Sequence, residues 1–190
     1  MLSRPDFFSG GLLGSRPMRA LRLRFPAARI AHWSERFPGD DISPVAGALA
    51  RIRRERHLRR DDFLAVAFWK TPRTRPRVER NSERDVRDAT REALTSRDER
   101  RRIESLTVLE GVGFPTASAI LHFCHADPYP VLDVRAVWSL GLEKIPRYDF
   151  DFWWKYVRFC RDLSRRSGCA MRTVDRALWQ YASERQPRRP

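Results

Sequence analysis

Two glycines flank one apolar residue, Gly111-Val112-Gly113, between two stretches of helical period. No other feature constrains the fold as tightly. Residues 96–109 read as one helix, and Pro115 opens the next, through about residue 125. Glycine weakens a continuing helix and permits positive φ and close backbone approach. The chain must turn here, with Val112 facing inward to anchor the corner. Ala117, Ile120, Leu121 and Cys124 then lay the second helix on the first. The free N–H groups at the start of that helix point outward beside the glycines, where unpaired donors and the positive dipole end suit an anion. A DNA phosphate fits such a site without any reading of base sequence. Taken alone, the tripeptide is better read as an ordinary helix–turn–helix corner with a glycine stop; the surrounding residues change that balance.

The rest of the chain is also helical in pattern. Residues 27–37 form a short amphipathic segment, and Ser43 with Pro44 caps and opens a helix through about Arg56. Residues 61–70 are largely apolar and belong in a core. Residues 71–78 hold two prolines and three arginines, which predicts a loop. Ser82 with Asp85, and Ser96 with Glu99, fit the capping box and should each start a helix. Residues 127–130, Asp-Pro-Tyr-Pro, make a turn or extended link, after which Asp133 can cap a helix through Leu140. A long aromatic and basic helix spans 150–165, Gly168 ends it, and Thr173 caps a last helix through about Glu184. No segment alternates convincingly with strand period, so the predicted class is all-α.

The surface carries a strong sign. Formal net charge is +14 over 190 residues, with a pI near 11.1. That charge selects polyanionic partners, nucleic acid foremost, with an anionic membrane surface as the plainer rival. Only three of the 38 basic residues are lysine (Lys70, Lys144 and Lys155). Arginine's forked donors suit phosphate, though a GC-rich genome would produce the same bias. Cys124, Cys160 and Cys169 are odd in number and widely spaced. They supply neither a disulfide framework nor a zinc pattern, which points to a reducing interior; a DNA-binding role would make the expected setting cytoplasmic and nucleoid-associated. No apolar run approaches the ~20 residues of a membrane helix. Residues 1–25 are basic, hold a single acid in Asp6, and read as a disordered leader, with Met18 as an alternative start. The tail, residues 186–190, is also expected to be disordered.

Residues 106–140 resemble the helix–hairpin–helix DNA glycosylase superfamily, which includes endonuclease III, adenine glycosylases and 3-methyladenine glycosylases. Leu109, Gly111, Val112, Gly113, Thr116 and Ala117 match its hairpin pattern. Asp133 falls where that superfamily carries its catalytic aspartate, 18 residues after Pro115. Members with lyase chemistry carry their Schiff-base lysine at the position that Pro115 holds here. The resemblance therefore implies a monofunctional enzyme, without lyase chemistry through that position. It implies a helical barrel over 61–144, with the hairpin at 106–125, packed beside a second domain built from 26–60 and 145–185. Double-stranded DNA would lie across Gly111, Val112, Gly113, Phe114 and Thr116, with the target base flipped between the domains. Many members hold an iron–sulfur cluster on four cysteines, which three scattered cysteines do not supply. No other cofactor is implied, apart from room for a weakly held monovalent cation at the hairpin carbonyls. A monomer is expected.

The chemistry of the candidates agrees. Breaking a base–sugar bond passes through an oxocarbenium-like state, which a carboxylate beside the anomeric carbon stabilises while it orients water. Asp133 is of that type; it is also a natural helix cap, and the two roles are compatible. Lys70 ends an apolar helix in a chain almost without lysine. It can meet a phosphate or a flipped base, or act as an amine nucleophile if desolvated. The plainer reading, preferred on sequence, is a surface lysine favoured by the helix dipole. Trp69 and Trp138 can stack on an electron-poor base, but for each taken alone a place in the core is the preferred reading. His122, Cys124 and His125 cluster in sequence, but 124 leaves the side that 122 and 125 share, and no fourth ligand is evident, so no metal site is expected. The arginine runs at 51–54, 100–102 and 165–166 can join the hairpin in a phosphate track or simply be solvated faces.

Three function classes follow: a DNA N-glycosylase of base-excision repair, a non-catalytic DNA-binding protein using the same hairpin, and a charge-driven RNA- or membrane-surface protein.

Overall fold

The computed structural model describes residues 20–187. Among these residues every regular element is helical, as the periodicity predicts. The α-helices are α1 (Ile30–Glu35), α2 (Ser43–Ala46), α3 (Leu49–Glu55), α4 (Arg60–Lys70), α5 (Arg75–Val78), α6 (Glu83–Thr95), α7 (Glu99–Thr107), α8 (Phe114–Cys124), α9 (Val134–Ser139), α10 (Phe150–Ser167) and α11 (Met171–Arg185), with short 3-10 turns before α1 and α5.

Local chemistry explains most boundaries. Ser82 caps α6 by accepting from Asp85 N–H at 3.1 Å. Asp133 and Asp149 cap α9 and α10 in the same way. Four expectations shift. The cap of α7 is Asp98, not Ser96, because Asp98 reaches Arg101 N–H at 2.9 Å. The helix expected over 43–56 breaks into α2 and α3, and Ser43 bonds to Asp41 instead of capping. Thr173 lies inside α11, whose N-cap, Ala170, makes no side-chain cap bond. Residues 71–78 are not a loop: the prolines sit at the first turns of a 3-10 turn and of α5, where a missing N–H is harmless.

The buried apolar side chains form one contiguous cluster. The chain ends meet in it: α1 packs on α11, which packs on α9. α4 packs on α8, and α8 is also contacted by α3 and α7. α8 carries eight buried residues, because its polar members Thr116 and Ser118 are buried along with the apolar ones. Residues 20–25 belong to the folded body. Arg22 and Arg24 N–H donate to the carbonyls of Leu140 and Ser139, and Phe25 is buried. The leader and tail expectations for 1–19 and 188–190 fall outside the described residues. No described helix is long and apolar enough to cross a membrane.

Candidate active site

The turn at Gly111-Val112-Gly113 is built as its composition requires, but its two glycines have different reasons. Gly111 has φ +77°, and a Cβ there would lie 2.9 Å from both Arg77 Cβ and Val78 Cγ1. The close approach is to the protein's own α5. Gly113 caps α8 in extended conformation, and a Cβ there would meet only Pro115 Cδ at 3.7 Å. Its bareness keeps space open on the outer side. Val112 is buried, as expected for an anchor. The first intrahelical bond runs from Ala117 N–H to Gly113 C=O at 2.9 Å, so the amides of Phe114 and Thr116 precede the ladder, and Pro115 contributes none. The Thr116 side chain is buried, and Phe114 packs partly against the core.

The link before α9 is held backbone group by backbone group. Tyr129 C=O meets His122 Nδ1 at 2.6 Å. Val131 N–H donates to Asp175 at 3.0 Å, and its C=O accepts from Tyr156 OH at 2.9 Å. Leu132 N–H donates to Ser118 Oγ at 2.8 Å. Side chains of α8, α10 and α11 thus fix residues 129–132 and hence the next one, Asp133.

Asp133 Oδ1 accepts from Arg135 N–H at 2.9 Å, and Oδ2 accepts from Lys70 Nζ at 2.6 Å. The Lys70 side chain is only 10% exposed and that of Asp133 23%. Lys70 is therefore not the surface lysine of the plainer reading; the end of α4 delivers it to the head of α9. The pair stands where two cavities meet. A groove of about 700 Å³ runs along the hairpin, lined by Gly111, Gly113, Pro115, Arg73, Arg77 and Tyr148 among others. A smaller cavity of about 270 Å³ lies between α4, α9, α11 and the segment after α1. Lys70 and Asp133 are the two residues common to both.

The smaller cavity mixes aromatic walls with paired charges. Trp69 lies in it, edge-on to Phe123 at 4.8 Å between centroids, and Phe37 is edge-on to Trp179 at 5.3 Å. Arg172 bonds to Asp40 and, at 3.1 Å, to Asp175. Burial pushes the Asp175 carboxyl above the usual carboxylate range, against the opposing effect of His122 and Arg172. In the groove, the Tyr148 hydroxyl is buried without a hydrogen-bond partner. Burial, assisted by Asp133, pushes it up to about 12, so it remains a proton donor.

Other sequence candidates are not brought here. Trp138 lies on another side of α9, stacked on Tyr181 at 5.9 Å under the Arg24 guanidinium, and lines a separate depression. The arginine runs are largely tied to carboxylates: Arg51 to Asp62 and Glu55, Arg100 to Glu104 and Asp151, Arg102 to Asp127, and Arg165 and Arg166 to Asp162. The guanidiniums that line the groove are Arg73 and Arg77, from the segment read as a loop. Among the described residues no His, Cys, Asp or Glu side chains are grouped to hold a metal ion.

Comparison with family models, with curated proteins and with solved structures finds no match. Function must be argued from the site itself.

Proposed function

We propose that the chain is a helix–hairpin–helix DNA N-glycosylase that releases a damaged or modified base by hydrolysis. The observation that carries this reading is the position of Asp133, a rigidly held carboxylate at the junction of a hairpin groove and a cavity of nucleobase scale. Double-stranded DNA lies along the groove, with phosphates on the amides around Gly113 and on Arg73 and Arg77. The extruded nucleotide passes Asp133, and its base enters the smaller cavity against Trp69. The anomeric carbon then stops beside the carboxylate. Asp133 stabilises the developing positive charge and aligns water for attack. Pro115 provides no nucleophile, so the release step uses water and leaves an intact strand with an abasic sugar.

A second reading is a non-catalytic DNA-binding protein. It is favoured by the Lys70 ammonium on Oδ2, which opposes the carboxylate's charge. Base release from a panel of damaged and modified duplexes, read after alkaline heating, separates the two. The enzyme reading expects release by the wild type and none by Asp133→Asn, with duplex binding retained in both. Binding by both proteins without release from any duplex supports the second reading.

A further inference from the structure

The most conspicuous group that hydrolysis leaves unused is the amine of Lys70. Its side chain is nearly buried, its Nζ is 2.6 Å from a carboxylate oxygen, and it faces both cavities. A structural ion pair needs none of that access. Lys144 and Lys155 line neither cavity, and arginine does not form imines, so Lys70 is the one lysine amine lining these cavities. The carboxylate it touches can take its proton, the requirement for an ammonium to become a nucleophile.

We propose that Lys70 gives the protein a second activity, cleavage of DNA at abasic sites through a covalent imine. This rests on the same site as the glycosylase reading but acts on a different substrate, the open-chain aldehyde of an abasic sugar. Lys70 Nζ passes a proton to Asp133 and adds to the aldehyde carbon C1′. The carbinolamine oxygen leaves as water, taking back from Asp133 the proton that Lys70 gave it, so a protonated imine remains and Asp133 is again a carboxylate. The Asp133 carboxylate then removes a proton from C2′. The C–H electron pair moves toward the iminium, and the C3′–O bond breaks with departure of the phosphate. Water hydrolyses the imine, returning the amine and an unsaturated aldehyde. No oxidant, reductant or metal is required.

The test uses a duplex with one preformed abasic site, incubated with the full chain with and without sodium borohydride. Reduction locks an imine as a stable amine, so a covalent protein–DNA adduct should form, with strand cleavage in the absence of borohydride. Digestion and mass spectrometry of the wild-type adduct should place it on Lys70, a readout that needs no variant to fold. Lys70→Arg, which keeps a cation on Asp133, should lose both adduct and cleavage. The double variant Lys144→Arg/Lys155→Arg should keep both. No adduct, or an adduct only on the terminal amine, Lys144 or Lys155, overturns the proposal. Because the abasic site is preformed, the outcome is independent of base release. Release without an adduct defeats this inference alone, and an adduct without release defeats the glycosylase reading alone.

Discussion

Asn81 grips Glu110 by both groups of its backbone: Oδ1 accepts from Glu110 N–H at 2.8 Å, and Nδ2 donates to Glu110 C=O at 3.0 Å and to Val78 C=O at 2.9 Å. Asn81 is buried, and its three bonds join the end of α5 to the residue before Gly111. Asn81→Ala takes the partner from Glu110 N–H and from Glu110 C=O, while Val78 C=O keeps its bond from the backbone N–H of residue 81, so a loss of about 1–3 kcal/mol is expected in denaturant unfolding. Duplex affinity should fall with it, because the brace sets the hairpin's position. Unchanged stability would mean that the turn holds itself.

The two hairpin glycines should respond oppositely. Gly111→Ala needs a positive φ and a contact of 2.9 Å with α5, and should cost about 1–3 kcal/mol. Gly113→Ala meets no clash and should keep the wild-type melting temperature while weakening DNA binding by crowding the groove. Equal melting losses in the two variants would contradict this division of roles.

Arg73 and Arg77 should carry phosphate contacts. Arg77→Ala is expected to reduce affinity evenly across duplex sequences and to lower the salt slope of binding by about one unit. Arg101→Ala, on the exposed side of α7 outside the groove, should leave the slope unchanged. The comparison is a titration at several salt concentrations.

Replacing either member of the Lys70–Asp133 pair leaves the other partly buried with no opposite charge. Lys70→Met should cost about 1–3 kcal/mol, since the site is not wholly dry. Asp133→Asn should cost less, because asparagine still caps α9 and accepts from Lys70. A double-mutant cycle on stability measures the coupling, and a value near zero would reduce the pair to a juxtaposition without energy.

Acid should unfold the protein through its histidines. Burial lowers the pKa of both His122 and His125 below the usual 6.5. The unfolded chain therefore binds protons that the folded one resists, so stability is full above about pH 6.5 and declines as pH falls through that value. His122→Gln should flatten the fall in melting temperature between pH 7 and pH 5. A fall of undiminished slope would assign it to other groups.

Much of this architecture was legible in the chain. The caps at Ser82 and Asp133 depend on contacts within a few residues, and the positive φ at Gly111 on its own backbone, which local sequence reports directly; the packing of Gly111 on α5 is long-range. The groove arginines were not legible, because Pro72 and Pro76 read as breakers when each in fact opens a short helical turn. Asn81, Tyr148 and Asp175 act across 29 or more residues or through burial alone, and no local spacing signals that. Helix geometry alone separates Trp138 from Asp133: five residues on, at 3.6 residues per turn, its side chain lies well round the axis from the cap. Lys70 stands out in the sequence by its rarity, but its partner lies 63 residues away and meets it only where α4 packs near the head of α9.

The strap formed by residues 22–24 gives the early part of the chain a hold on the Asp133 carboxylate. α9 is short and carries Asp133 at its head, while the bonds from Arg22 and Arg24 fasten its foot. A Cβ on Gly141 would stand 3.1 Å from the Arg22 carbonyl, so the strap lies flush against that foot. Anyone trimming the basic, proline-rich start back to the first helix for expression would therefore untie the element that aims Asp133, whereas a version begun at Met18 would keep it moored.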